Sequence, residues 1–181
     1  FYNERRKQLL EVRPNDGHLG LAELEADFNV TVVTQNIDNL HERAGSRRII
    51  HLHGELTKVC SSRDPYNPHY IKELKPDEYE VKFGDKAGDG TQLRPFIVWF
   101  GEPVPEIETA VNYVEKADIF VIIGTSMNVY PAAGLLNYVP REAEVYLIDP
   151  KPVDVHSMRR IHVIQKGASE GVRELRSLLQ P

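Results

Sequence analysis

The sequence predicts an α/β protein, a doubly wound parallel sheet with a small inserted lobe. Strand-like apolar runs alternate with helix-like stretches from residue 30 to 56 and again from residue 95 onward, the rhythm of parallel strands joined by helical crossovers. One of those runs, Ile119-Phe120-Val121-Ile122-Ile123, is apolar without a break, as expected of a central parallel strand covered on both faces. Residues 57–94 differ: polar, rich in Pro, Asp, Lys and Gly, and poor in periodicity, they read as the inserted lobe. Residues 1–56 and 95–181 then form the sheet domain.

The elements follow in order. Phe1 to Leu10 reads as the inside of a helix with neither an N-cap residue nor an initiator Met ahead of it, so the chain is expected to be a fragment lacking an N-terminal part. Pro14-Asn15-Asp16 starts a second helix, whose apolar face would be Leu19, Leu21, Leu24 and Phe28. A strand at 30–34 leads into a short helix from Asp38 to about Arg43, ended by Gly45, and a second strand spans 48–53. Beyond the lobe, Phe96 to Phe100 is a strand, and Ile107 to Lys116 is an amphipathic helix built on Ile107, Ala110, Val111 and Val114. The apolar run 119–123 is followed by a helix from Pro131 to Tyr138, strands at 145–148 and 162–164, and a closing helix at 171–179.

Composition narrows the function classes. With 181 residues the chain is the length of one domain, and 41% hydrophobic with 27% charged residues is ordinary for a globular protein. A net charge of −5 argues against nonspecific nucleic-acid binding. No apolar run approaches a membrane span, and no signal-peptide pattern is present, so neither nucleic acid nor membrane is expected as a partner. The single cysteine, Cys60, excludes an internal disulfide and fits a reducing cytoplasm.

Two polar clusters stand at strand ends: Thr34-Gln35-Asn36-Ile37-Asp38-Asn39-Leu40-His41, and His51-Leu52-His53-Gly54. Ligands of open α/β sheets sit beyond the carboxyl ends of the strands, so both clusters would project into one crevice. It would offer an amide, a carboxylate and an imidazole able to act as a general base. Each feature also has a plainer explanation. A lone histidine is more often structural, and Asn36 and Asp38 could simply cap the helix that follows. Gly124-Thr125-Ser126 could be a tight turn, or a place where backbone amides and hydroxyls meet phosphate or ribose oxygens. Asp149, just after a strand, suits the two hydroxyls of a ribose. Val98-Trp99-Phe100-Gly101-Glu102 could be core strand plus turn. Tyr2 and Arg5, at i and i+3, could belong to a solvated basic helix.

Thr34-Gln35-Asn36-Ile37-Asp38-Asn39-Leu40-His41 together with His51-Leu52-His53-Gly54, and Ile122-Ile123-Gly124-Thr125-Ser126 running on to Pro131-Ala132-Ala133-Gly134-Leu135, resemble the sirtuin family of NAD-dependent protein lysine deacylases. The resemblance extends from Tyr2 to about Leu179 and implies a Rossmann-like domain that consumes NAD as a co-substrate and acts on acyl-lysine proteins or peptides. By that resemblance, His53 is the general base on a ribose hydroxyl. Gln35, Asn36, Ile37 and Asp38 line the pocket for nicotinamide and its ribose, with Asn36 and Asp38 holding the carboxamide and Gln35 the ribose. Gly124, Thr125 and Ser126 meet the cofactor; Asp149, where sirtuins generally carry Asn, takes the adenosine ribose, and Ala168 beside Gly167 lies against the adenine. Val98 and Phe100 would line an acyl-lysine tunnel, with Gly101 in a segment that pairs with the peptide by β-augmentation. Tyr2 and Arg5 resemble the pair that marks sirtuins removing acidic acyl groups such as succinyl or malonyl, since a guanidinium binds a carboxylate bidentately.

The family pattern is departed from twice. Its N-terminal Gly-Ala-Gly segment and the Ser-Gly-Ile and Phe-Arg elements have no counterpart here. Most sirtuins hold a structural zinc with four cysteines, but this chain has Cys60 alone, with Gly84-Asp85-Lys86-Ala87-Gly88 where a second pair would fall. The expectation is therefore a bacterial-type deacylase without zinc. Two other classes stay open: a noncatalytic NAD or ADP-ribose binding module, which would describe this chain if the N-terminal segment is missing, and a protein ADP-ribosyltransferase.

Overall fold

The computed structural model describes residues 1–124, 132–152 and 160–180. In chain order they form α1 (Tyr2–Glu11), α2 (Asp16–Glu23), β1 (Val32–Thr34), α3 (Leu40–Ala44), β2 (Ile49–His51), β3 (Gly54–Ser61), β4 (Lys72–Glu73), β5 (Leu93–Ile97), α4 (Ile107–Val114), β6 (Ile119–Ile123), β7 (Glu144–Ile148), β8 (Ile161–Ile164) and α5 (Ala168–Leu179). Two compact units result. One holds Phe1–Arg13, Thr34–Leu40 and His51–Pro103; the other holds Pro14–Val33, His41–Ile50 and Val104–Pro181.

The second unit carries the parallel sheet, in the order β6-β7-β8. Residues pair in register from Ile119 with Glu144 to Ile123 with Ile148, and from Val145 with Ile161 to Ile148 with Ile164. The α/β class is as expected, but the central strand is not. β7 is the covered one, with Val145, Leu147 and Ile148 at most 1% exposed. β6 has one strand partner among the described residues, and of its five residues only Ile122 is buried. An unbroken apolar run reports that both faces are covered; it says nothing about how many edges are paired.

The second helix begins as the sequence predicts and packs differently. The Asn15 side chain accepts hydrogen bonds from the amides of Gly17 and His18, while His18 Nδ1 accepts from the Asn15 amide at 3.1 Å. Such a cap contributes about 1 kcal/mol. The predicted face included Leu19, yet Leu19 is 40% exposed and the buried residues are Gly17 and Gly20. A Cβ on Gly20 would lie 2.7 Å from Val172 Cγ1, so the glycines let α2 press onto α5. Below them Leu24, Tyr146, Ile148, Ile164, Val172 and Leu175 form the core, with Leu21 and Phe28 packed against it.

In the first unit the chain turns antiparallel. β3 is the middle of a three-stranded sheet, β4-β3-β5, with Val59 opposite Pro95, Cys60 opposite Arg94 and Ser61 opposite Leu93. Val59, Cys60 and Ser61 are fully buried. The region taken as aperiodic from residue 57 thus opens on a core strand; a register shift between Gly54 and Val59 breaks the alternation that would have revealed it. The strand expected at Phe96–Phe100 runs instead over Leu93–Ile97 and pairs with β3. Helix α1 docks through Arg6, 3% exposed, whose Nε donates to the Leu56 carbonyl at 2.7 Å. The Asn3 side chain donates to the Val81 carbonyl and accepts from its amide, at 2.9 and 3.0 Å. Ser61 Oγ donates to Asp89 Oδ2 at 2.6 Å and accepts from the amides of Arg63 and Asp64, while Asp89 Oδ1 accepts from the Thr91 amide and hydroxyl. These bonds hold the Asp89 carboxyl down to about 2, the Ser61 bond foremost.

Candidate active site

β1 ends at Thr34, a buried residue whose Oγ1 accepts from the Asn36 amide at 3.0 Å and so turns the chain. The following stretch is strapped to the one after β2. Leu52 donates from its amide to the Thr34 carbonyl at 3.0 Å, and Leu56 to the Ile37 carbonyl at 2.7 Å. His51 Nδ1 lies 3.2 Å from the Asn36 carbonyl oxygen. A carbonyl can only accept, so that contact places a proton on Nδ1 of His51 and gives this histidine a holding role. Gln35, Asn36, Ile37 and Asp38 are thereby brought beside the segment that carries His53. Asp38 has the plainer role as well: its Oδ1 accepts from the Leu40 amide at 3.0 Å, at the start of α3.

His53 occupies the turn between β2 and β3 and is half-buried. Its carbonyl accepts from the Val98 amide at 2.9 Å. Gly54 follows with φ at +86°, and a Cβ there would run into the Phe96 carbonyl oxygen. Only glycine permits this approach, which explains why a glycine must follow the histidine. Three segments, 34–38, 51–54 and 96–98, are therefore tied together by backbone hydrogen bonds where the chain carries His53.

Residues Val98, Trp99 and Phe100 are not strand. Period-two alternation does not apply to them: Val98 is half-buried and Phe100 fully exposed. The reason is an ion pair that neither periodicity nor motif spacing announced. Arg94, 9% exposed, donates from Nη1 and Nη2 to the two carboxylate oxygens of Glu102 at 2.7 and 2.9 Å, and from Nη2 to the Ile97 carbonyl at 2.7 Å. Its guanidinium lies 3.8 Å from the centre of the Trp99 ring. Glu102 Oε2 accepts from the Trp99 amide at 2.9 Å, and Gly101 turns with φ at +86°. The pair shifts both partners toward their charged forms, Arg94 upward through Glu102 and Glu102 downward through Arg94.

Tyr2 and Arg5 lie on α1, Tyr2 half-buried and Arg5 exposed. The Arg5 guanidinium sits 5.3 Å from the centre of the Phe1 ring and Nη1 donates to Gln8 Oε1 at 3.1 Å; the Phe1 and Tyr2 rings meet edge to face.

In the second unit, Gly124 and Asp149 follow β6 and β7 directly. Gly124 has φ at +58° and donates from its amide to the Ile148 carbonyl at 3.0 Å. The Asp149 amide donates to the Ile164 carbonyl at 3.3 Å, and its Oδ1 accepts from the Lys151 amide at 2.8 Å. Ala168 is the exposed first residue of α5. All three stand at the carboxyl edge of the parallel strands, where such sheets take their ligands. Thr125 and Ser126 lie outside the described residues, as does Pro131 at the start of the helix expected there; its remainder, Ala132–Tyr138, is a 3-10 helix.

Each unit by itself presents groups that suit part of NAD: in the second, a side-chain-free turn at Gly124 and the Asp149 carboxylate at strand ends; in the first, the polar 34–38 stretch tied to the segment of His53. A structural zinc held by four cysteines does not fit. Cys60 is fully buried, its Sγ lies 3.7 Å from the Pro95 carbonyl oxygen, and burial pushes its thiol up to about 11, far from the thiolate a zinc needs.

Parallel strands packed against helices, with ligand-type residues at the strands' carboxyl ends, define an α/β protein of the Rossmann-like kind. The chain belongs to the Sir2 family, whose model matches residues 1–131. An NAD-dependent protein deacylase of Bacteroides thetaiotaomicron is 84% identical over 181 residues, all of this chain and 77% of the relative. Among solved structures, a complex of a Sir2 homologue with NAD superposes with a TM-score of 0.80 at 34% identity, covering 99% of this chain and 71% of the other. A Sir2 complex with a p53 peptide and NAD+ gives 0.74 at 26% identity, covering 94% and 72%.

Proposed function

We propose that this protein is an NAD-dependent protein lysine deacylase and that His53 is its general base. The observation that carries the proposal is the joining of 34–38, 51–54 and 96–98 by backbone hydrogen bonds at the half-buried residue His53. When bound, NAD supplies the ribose–nicotinamide bond that breaks and the ribose that accepts the acyl group. The chain's own residues do the rest. His53 takes the proton of a ribose hydroxyl through its ring nitrogen. Asn36 and Asp38 hold the nicotinamide carboxamide, Ile37 flanks it and Gln35 holds its ribose. Gly124, with Thr125 and Ser126 after it, gives the cofactor close backbone approach, Asp149 binds the adenosine ribose, and Ala168 bounds the adenine. Val98, Phe100 and Gly101 receive the acyl-lysine peptide.

Two finer points belong to the same proposal. Residues 57–94 form a lobe held without zinc, supported by the single, buried, protonated Cys60 and by the Ser61–Asp89–Thr91 hydrogen bonds. Tyr2 and Arg5 recognise an acidic acyl tip, supported by an exposed guanidinium one helical turn from the phenol. A protein with a lone reduced thiol suits the cytoplasm. No helix among the described residues is long and apolar enough to cross a membrane.

The test is incubation with NAD and an acetyl-lysine peptide. Nicotinamide released in step with deacylated peptide supports the assignment. NAD binding without turnover leaves a binding module, and ADP-ribose on an added protein leaves a transferase; either would overturn it.

A further inference from the structure

We infer that Arg94 and Glu102 are positioning residues that hold the 97–101 turn in the shape the acyl-lysine peptide docks on. The inference rests on the deacylase assignment above and adds to it a part of the chain that assignment does not use.

The clamp has a rigid base. Arg94 lies within β5, directly opposite the buried Cys60 of β3. From there one guanidinium reaches both ends of the turn, the Ile97 carbonyl at its start and the Glu102 carboxylate at its finish. Glu102 returns a bond to the Trp99 amide, and the Glu102 amide donates to the Trp99 carbonyl at 3.0 Å. The turn is thus closed into a ring by side chains, leaving Phe100 at its tip fully exposed.

An exposed turn of this kind would ordinarily sample many shapes, because fixing each residue costs about 1–2 kcal/mol of conformational entropy. Here an ion pair with a buried Arg94 and a half-buried Glu102, their side chains 10% and 27% exposed, has already fixed it. A surface pair adds little to stability, but a bidentate, desolvated one defines geometry. The turn also reaches the base, since Val98 donates to the His53 carbonyl. Holding 97–101 therefore sets the peptide platform and the backbone of His53 together. The lysine ammonium could not do this: it has no fork to span Glu102 and the Ile97 carbonyl, and it would not stack flat on Trp99.

Trp99 is the sole tryptophan of the chain, so its emission reports on this turn alone. The experiment compares the wild-type chain with Arg94→Lys and Glu102→Gln, using NAD, an acetyl-lysine peptide, calorimetric NAD titration and Trp99 fluorescence. Both variants should raise KM for the peptide about tenfold, the scale expected when a positioned group is displaced. NAD affinity should stay within twofold, Trp99 emission should move to longer wavelength, and the peptide should shift that emission in the wild type. An unchanged peptide KM in both variants would overturn the inference. So would equal losses in peptide KM and NAD affinity, the mark of general damage. If Arg94→Lys does not fold, Glu102→Gln, which keeps the shape and one acceptor, carries the test. Absence of peptide turnover by the wild type is a separate result: it removes the deacylase assignment itself.

Discussion

The His53 carbonyl accepts a hydrogen bond from the Val98 amide at 2.9 Å, tying the candidate base to the turn proposed to receive the peptide. Gly54 makes this possible. Its positive φ and the Phe96 carbonyl against its α-carbon bring β3 and β5 close enough for the bond to form.

Replacing Gly54 by Ala should therefore be severe. A side chain at φ of +86° costs about 1–2 kcal/mol, and the collision with the Phe96 carbonyl adds about 1–3 kcal/mol. Urea unfolding should show a loss of at least about 2 kcal/mol. A variant as stable as the wild type would mean that the two strands can part without penalty.

Acid should act through Asp89. Its folded carboxyl is held at about 2, below the ordinary aspartate value of 3.8, so it stabilises the fold above pH 4 and that contribution fades as the pH falls toward 2. Asp89→Asn should lower stability at neutral pH and flatten the pH dependence between 4 and 2. Parallel acid-unfolding curves for the two proteins would contradict this.

How much of this was legible beforehand depends on how far apart the interacting residues lie in the chain. The caps, the apolar strand runs and the strand-end clusters are local patterns, and they appear where expected: Asn15 caps α2, and the 34–38 and 51–54 stretches meet. What escaped is nonlocal. Leu19 looked like a core residue because the closeness of Val172 to Gly20, which favours a glycine face, is not visible in the helix itself. β3 was hidden by its own register shift. The end of β5 at Ile97 is set by Arg94, Trp99 and Glu102 acting together, and no period or propensity records such a clamp. A buried arginine in a strand followed by a glutamate after an aromatic turn is the signal that could have found it.

Metal should play no part in stability. Elemental analysis should find no zinc, and a chelator should leave the melting temperature where it was. With its thiol raised to about 11 by burial, Cys60 should also react with a thiol reagent only after unfolding. One zinc per chain would refute this account of the lobe.

Arg5→Met should discriminate between acyl groups. It keeps bulk and removes the donors, so a succinyl-lysine peptide should lose about 1.5–3 kcal/mol in kcat/KM relative to an acetyl one, the range for a hydrogen bond to a charged group. Equal losses on the two peptides would confine Arg5 to its contacts with Phe1 and Gln8.

The most direct measurement is turnover by His53→Ala beside calorimetric titration with NAD. If the imidazole is the base, deacylation falls by about two orders of magnitude or more while NAD affinity stays close to that of the wild type. Deacylation near the wild-type rate in that variant would contradict the assignment of His53.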